Sequence, residues 1–248
     1  MNGEASDPIA KWRAKRDGSV VLDGFHAIKH ALRFGAEVSV VLTADPVMLA
    51  GLAADLAPDV AEPLERLASV VPAEELAAVV PRPHPTRVAA LAARPRQDWE
   101  RPRRAPVVVL DNPRHLGNAG AVVRLAAGFD VSGVLTTGDM DPWHPAVVRA
   151  AAGLHFATTV GRVSDTDFPD GPVVVLDAAG EDLRRVVIPD DAVLVFGSER
   201  HGVSPGVRAR AQRVVSLPMR SMVSSYNLAT SVAMTLYAWA AQSDHIMK

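Results

Sequence analysis

Glu199, Arg200 and His201 stand directly behind an apolar run, Ala192-Val193-Leu194-Val195-Phe196, from which Gly197-Ser198 separates them. An apolar run ending in Gly-Ser-Glu reads as a buried strand that stops in a tight turn, with a polar side chain held at its carboxyl end. In open α/β sheets that edge is where ligands bind. A second piece repeats the pattern. Val214 to Leu217 reads as a short strand ended by Pro218, Met219 follows, and Ser224-Ser225-Tyr226-Asn227-Leu228 leads into a long helix through Ala233, Leu236 and Ala240. Ser224 or Ser225 is a suitable cap for that helix. Two strand ends and a helix start can therefore converge on one ligand pocket.

A third piece lies upstream. Val107-Val108-Val109-Leu110 ends at Asp111, and the following turn carries Gly117, Asn118, Gly120 and Arg124. The glycines permit close backbone approach, and Asn118 can cap the helix that begins there. The turn has neither the G-x-G-x-x-G spacing of a dinucleotide site nor the Gly-Lys-Ser/Thr of a P-loop. Taken alone, Asn118 reads as a plain cap and Arg124 as a surface residue. A hydrolase elbow, G-x-S-x-G, and a zinc motif, H-E-x-x-H, are also missing. His26 and His30 are spaced i, i+4, but no carboxylate accompanies them in a ligand pattern, so no metal site is expected. The chain has no cysteine, which excludes a thiol nucleophile, a disulfide framework and Cys-ligated zinc, and fits a reducing cytoplasm.

The elements that must position these residues alternate along the second half. Val107–Leu110, Val131–Thr136, His155–Val160, Val173–Leu176 and Val193–Phe196 read as strands. Asn118–Ala127, Pro145–Ala152 and a stretch near Pro205–Ala211 read as helices. Continuous apolar strands alternating with helices imply a mainly parallel sheet covered on both faces. Residues 94–106 break all periodicity, because prolines 95, 102 and 106 alternate with arginines 94, 96, 101, 103 and 104. They read as a linker between a first domain, 1–93, and a second, 107–248. The first looks like a smaller α/β unit, with a helix from Asp23-Gly24 to Leu32 stopped by Gly35, a strand Val38–Thr43, helices Pro46–Leu56 and Ala73–Val79, and a strand Val88–Ala92. Ile9 to Gly18, with Lys11, Arg13, Lys15 and Arg16, reads as a helical, solvated arm. The polar N-terminus has no apolar leader and no stretch is long enough to span a bilayer, so a soluble cytoplasmic protein is expected. A formal net charge of −2 gives no global attraction to nucleic acid, and RNA binding would rest on local basic patches such as the five linker arginines.

Taken together, four segments resemble the successive motifs of the SpoU (TrmH-type) RNA 2′-O-methyltransferases of the SPOUT superfamily. They are Asn118 to Arg124, Pro145 to Gly153, Phe196 to Ser204, and Leu217-Pro218-Met219 with Ser225 to Ala229, in that order. The resemblance covers about Val107 to Gln242. More loosely, the first domain is similar to the ribosomal-protein-like substrate-binding domain of rRNA-modifying relatives.

The resemblance implies an α/β fold whose C-terminal segment forms a deep trefoil knot, an exception to the rule against knotted chains. It also implies a homodimer, S-adenosylmethionine as cofactor and a ribose 2′-hydroxyl as acceptor, with rRNA favoured over tRNA by the extra domain. It implies catalytic roles for Asn118, Arg124, Glu199, Ser225 and Asn227, and cofactor contacts from Gly197, Ser198, Leu217, Pro218, Met219, Asn227 and Leu228. A guanidinium is a poor base, so Arg124 is expected to hold the ribose or a phosphate and to stabilise the developing alkoxide. Two positions depart from the family pattern: Ala151 stands where a serine is frequent, and Tyr226 where leucine is common. A tRNA methyltransferase, a catalytically silent RNA-binding protein of the same fold, and a small-molecule enzyme built on Ser198-Glu199 remain as alternatives.

Overall fold

The computed structural model describes residues 7–96 and 102–242. It divides into two compact units, the first comprising the described residues up to 96 with Ala152–Ala157, the second comprising residues 102–151 and 158–242.

The first unit runs α1 (Pro8–Arg16), β1 (Ser19–Asp23), α2 (Phe25–Arg33), β2 (Val38–Thr43), α3 (Pro46–Leu56), α4 (Ala61–Leu67), β3 (Ala68–Val70), α5 (Ala73–Val79) and β4 (Val88–Ala93). Its sheet has the order β1-β4-β2-β3, with β4 antiparallel to both neighbours and β2 parallel to β3. Strand β1, helix α4 and strand β3 have no counterpart in the sequence reading, because each is short and its apolar residues lack a clear period. The basic arm is a helix with a structural role. Asp7 caps it by accepting from the Ile9 N–H, and Ile9 and Trp12, three residues apart, enter a core with Val21, Leu42, Leu76 and Leu91. Lys11, Arg13 and Lys15 face solvent while Trp12 is 1% exposed.

The second unit runs β5 (Val107–Leu110), α6 (Leu116–Gly128), β6 (Gly133–Thr136), α7 (Pro145–Ala150), β7 (Thr159–Arg162), β8 (Val173–Asp182), β9 (Val193–Phe196), α8 (Pro205–Arg208), β10 (Arg213–Ser216) and α9 (Leu228–Gln242). The six strands have the order β10-β8-β9-β5-β6-β7, and every neighbouring pair is parallel. This is the mainly parallel α/β sheet the strand pattern implied. All four residues of β5, β6 and β9 are buried, as expected of strands covered on both faces.

Two expected elements differ. His155 and Phe156 fall in a short 3-10 turn, Leu154–Phe156, and the strand begins only at Thr159. Gly153 precedes that turn with φ +73°, which ends the helical stretch and delays the strand. Strand β8 is longer than expected and irregular. Val214 pairs with Val175 but Val215 pairs with Glu181, so residues 176–180 leave the ladder with β10. Gly180 is required at the return, where a Cβ would lie 2.5 Å from the Val215 nitrogen.

Candidate active site

Parallel strands deliver their carboxyl ends to one edge of the six-stranded sheet, and a cavity of about 580 Å³ opens there. Phe196, Leu176, Leu217, Met219 and Leu228 form its apolar lining, and Asn118, Glu199, Ser225 and Asn227 its polar side. Its volume is in the range of small-molecule and cofactor pockets, about 300–1,000 Å³.

The Gly197–Gly202 turn is folded back on itself. Ser198 and Gly202 exchange backbone hydrogen bonds of 3.0 and 3.1 Å, and the Ser198 hydroxyl accepts from the His201 N–H. A Cβ at Gly197 would lie 2.0 Å from the Gly202 carbonyl carbon and 2.2 Å from the Val203 nitrogen. No side chain fits at that position, which puts backbone rather than side chain on the cavity wall. Asp111, 3% exposed, anchors the segment behind the turn. One of its carboxylate oxygens accepts from the Thr137 hydroxyl at 2.7 Å, the other from the Ser204 N–H at 2.6 Å.

A chain of side-chain hydrogen bonds then crosses the mouth. The Asn118 Nδ2 donates to the Glu199 Oε1 at 2.7 Å, and the Asn227 Nδ2 donates to the Asn118 Oδ1 at 3.1 Å. The Asn227 Oδ1 accepts from the N–H groups of Ala229 and Thr230 at 2.9 and 3.3 Å. The order of donors follows from the ends. A carboxylate can only accept and helix N–H groups can only donate, so both amides have one orientation that satisfies every contact. The Arg114 N–H supplies a further bond to the Glu199 Oε2 at 3.2 Å. Partial burial raises the pKa of Glu199. The bonds from Asn118, from its own backbone N–H and from Arg114, with the charge of His115, outweigh that and hold the carboxyl below its ordinary value.

These contacts correct two expectations. Asn118 does not cap its helix: α6 begins at Leu116, and the Asn118 side chain, already inside the first turn, faces Glu199 and Asn227. Neither Ser224 nor Ser225 caps α9; Asn227 does, two hydrogen bonds to the first turn fixing it there. Of the expected site residues, Asn118, Glu199, Ser225, Asn227, Gly197, Ser198, Leu217, Met219 and Leu228 line the cavity together. Pro218 and Arg124 do not. Pro218 contributes its carbonyl, which accepts from the Tyr226 hydroxyl at 3.1 Å, and Arg124 lies exposed on α6, about 9 Å along the axis from Asn118.

Sequence reasoning missed the contributions of four residues. Asp177 and Ala178 reach the cavity through the β8 irregularity, whose mark in residue type is Gly180 alone, and Asp177 is paired with Arg208. Asp111 offered a signal, a carboxylate at the end of a buried strand. Tyr226 ties the two C-terminal loops together through Pro218, a connection that the residue common at that position, leucine, lacks the hydroxyl to make. Of the linker arginines, Arg103 is committed to the backbone carbonyls of Asp170 and Asp191, whereas Arg94, Arg96 and Arg104 are exposed. Arg101 lies outside the described residues. Among the described residues no group of three or more His, Asp and Glu could hold a metal, and no helix is long and apolar enough to cross a membrane.

The chain is similar to several known proteins. The chain is 33% identical over 126 residues to the ribosomal RNA small subunit methyltransferase G 2 of Syntrophobacter fumaroxidans, covering 50% of this chain and 25% of that protein. It is 32% identical over 146 residues to the 23S rRNA (adenosine(1067)-2′-O)-methyltransferase of Streptomyces azureus, covering 54% of each. The chain thus spans between a quarter and about half the length of these relatives. The crystal structure of the SpoU methyltransferase AviRb from Streptomyces viridochromogenes in complex with AdoMet superposes with a TM-score of 0.76 at 21% identity, over 94% of this chain and 97% of that one, a likeness of fold. Residues 105–237, more than half of the chain, match the SpoU rRNA Methylase family, and the chain belongs to that family.

Proposed function

We propose that this protein transfers a methyl group from S-adenosylmethionine to a ribose 2′-hydroxyl of RNA, rRNA in the first place. The observation that carries the reading is the hydrogen-bonded run Glu199–Asn118–Asn227 across the mouth of a cavity in a chain of this family. The Streptomyces azureus relative, named as a 23S rRNA 2′-O-methyltransferase, and AviRb, crystallised with AdoMet, support the acceptor and the cofactor.

The residues present fit S-adenosylmethionine. Apolar walls at Phe196, Leu217 and Leu228 suit a purine ring, backbone laid bare at Gly197 suits hydrogen bonding to its edge, and the polar side suits ribose and amino-acid groups. Gly197, Ser198, Leu217, Met219, Asn227 and Leu228 would hold it, with Pro218 shaping the loop through Tyr226. When bound, it supplies a methyl group already activated by a positively charged sulfur.

What remains for the chain is to place the hydroxyl and to stabilise the oxygen as its proton passes to solvent water. Glu199, held below its ordinary pKa, is a weak base; its part is to orient Asn118 and the turn. Ser225 and Asn227 fix the loop at the start of α9. Arg124 holds the ribose or an adjacent phosphate and stabilises the alkoxide. Because Arg124 stands outside the cavity lining, that role requires the RNA or a second copy of the chain to bridge them, which favours a homodimer. The knotted C-terminus belongs to the same reading. It is supported by β10 lying beyond β8 at the sheet edge and by α9 returning to pack on α6. The first domain, 1–93, joined by the 94–106 linker to the catalytic domain, 107–248, is the RNA-recruiting part. The same reading has the chain act in the cytoplasm, which a cysteine-free composition fits.

Transfer of labelled methyl from S-adenosylmethionine to separated rRNA and tRNA pools, with nucleoside analysis of the product, tests this. A 2′-O-methyl nucleoside in the rRNA pool is expected, lost in Arg124→Ala while cofactor binding is kept. Label confined to tRNA would move the substrate class; RNA binding without cofactor binding would leave a silent RNA-binding protein; near-wild-type turnover of Arg124→Ala would remove that residue from the mechanism.

A further inference from the structure

A second cavity, of about 560 Å³, lies within the first unit, where the carboxyl ends of β1 and β2 meet the turn before β4. Leu76, Val80, Pro83 and Pro85 give it flat apolar walls, and Asp23, His84 and Arg87 are its charged or titratable groups. Apolar walls with a few convergent polar groups are the composition of a small-ligand site.

The polar end is held in place by its neighbours. Asp23 closes β1 and is 6% exposed, so its carboxylate sits below the surface. Gly24 follows with φ +91°, and a Cβ there would lie 2.6 Å from the His84 ring; glycine lets the imidazole lie against the backbone beside Asp23. Thr86 fixes that ring, its N–H at 3.2 Å and its hydroxyl at 2.8 Å both reaching Nδ1. A backbone N–H can only donate, so Nδ1 accepts and the neutral ring carries its proton on Nε2. Burial holds the His84 pKa below the ordinary histidine value, which keeps the ring neutral at pH 7. Arg87 has φ +48°, an unusual conformation for a residue with a side chain, and its carbonyl is held there by the Thr43 hydroxyl at 3.2 Å and the Ala44 N–H at 2.9 Å. Its side chain is 60% exposed, with the guanidinium 3.9 Å from the Asp45 carboxylate in a long, solvated pair that leaves its other N–H groups toward solvent. Backbone strain maintained by surrounding bonds is a feature of ligand sites.

We propose that this cavity takes a guanine base, Asp23 accepting from its N1–H and N2–H groups, His84 donating from Nε2 to O6, and Arg87 meeting the attached phosphate. Guanine is the RNA base whose Watson–Crick edge sets two adjacent donors beside an acceptor, which matches a carboxylate next to a ring N–H donor. The flat walls suit a base splayed out of its stack, the form in which RNA is read by sequence. That the guanine belongs to the RNA substrate rests on the function proposed above; a free guanine nucleotide presents the same chemistry, and the test separates the two.

The full chain is titrated with GMP, AMP, CMP and UMP, and with a uridine-rich oligoribonucleotide carrying one guanosine beside its all-uridine counterpart. GMP is expected to bind about tenfold or more tighter than the other mononucleotides, the scale of a bidentate base contact. Asp23→Asn and Ala77→Trp should each remove that preference with S-adenosylmethionine affinity unchanged, the second by filling the cavity from an exposed position on its wall. Equal binding of GMP and AMP, or guanine selectivity surviving Ala77→Trp, overturns the assignment. Preference for the guanosine oligonucleotide places the base in RNA; selectivity for GMP without it assigns the site to a free nucleotide and overturns the RNA source. Guanine selectivity in a chain that methylates no RNA would sink the proposed reaction and leave this site standing; methylation without guanine selectivity would do the reverse.

Discussion

The two sheets build their cavities from opposite strand arrangements. In the second unit every pair is parallel, so the carboxyl ends of β5, β8, β9 and β10 reach one edge and the chain leaves each strand toward the same place. In the first unit β4 runs antiparallel between β1 and β2, so the cavity edge combines two strand exits with one strand entry, and His84, Thr86 and Arg87 arrive on the turn before β4. A parallel edge gathers residues far apart in sequence, such as Asn118, Glu199 and Asn227, through hydrogen bonds between side chains. A mixed edge holds its polar groups through backbone contacts and burial, as Asp23, Gly24 and Thr86 do. The lesson is that the cavity of the first unit depends on the packing of its sheet, and that of the second unit on the shape of a few turns.

Removing the helix that covers one face of the first sheet is the largest way to break this contrast. Trp12→Ala deletes an indole that is 1% exposed and packed with Leu42, Leu76 and Leu91. A buried Trp→Ala costs about 3–5 kcal/mol, and chemical denaturation should show a loss of that size together with loss of the Leu76-lined cavity. Lys15→Ala on the exposed side of the same helix should move stability by less than about 0.5 kcal/mol. If Trp12→Ala were as silent as Lys15→Ala, α1 would be the solvated arm its charges suggest.

Shape at the parallel edge is tested next. Gly197→Ala places a methyl 2.0 Å from the Gly202 carbonyl carbon, where backbone rather than a flexible side chain must yield. Displacing a ligand-facing turn by about 1 Å can cost on the order of 10²-fold in rate, and a fall of that size in methyl transfer, with weaker S-adenosylmethionine binding by titration, is expected. The sheet beneath is expected to stay intact by circular dichroism, since Val193 to Phe196 keep their partners on both sides. A variant with undiminished cofactor affinity would show that the turn has slack the geometry denies it.

Legibility in the sequence followed the same division. The parallel sheet was readable because β5 and β9 are unbroken apolar runs, buried on both faces. Glu199 and Asn227 could be placed at strand and helix ends from Gly197, Pro218 and the apolar runs alone, while their roles came from the order of the four motifs. The run from Glu199 to Asn227 could not be read, because hydrogen bonds between residues 81 and 109 positions apart leave no local signature. Nor could the excursion of residues 176–180, whose cause is the register of a neighbouring strand. In the first unit, β1 was hidden by the charged stretch before it and by its length of five residues, and the burial of Trp12 by the basic residues around it. Charge runs are read as solvated faces, and here the face is solvated while its reverse is core.

The smallest effect discriminates most finely between the two edges, because it concerns one carboxylate at the turn. Glu199 has a folded-state pKa below its ordinary value of 4.5, so the stability it contributes is present above that ordinary value and is lost as pH falls through the depressed one. Glu199→Gln places an amide NH₂ against the N–H donors of Arg114 or Asn118, as protonation of the glutamate would place a hydroxyl there. The stability difference between wild type and Glu199→Gln should therefore be level from neutral pH down to the ordinary carboxylate range and shrink below it. Glu199 is exposed and its contacts are screened, which keeps the plateau under about 1 kcal/mol. The difference cancels the carboxylates common to both proteins, and denaturation series at stepped pH resolve it. A difference that grows as pH falls would mean that Glu199 is held in its protonated form, and its place as the acceptor for Asn118 and Arg114 would then be wrong.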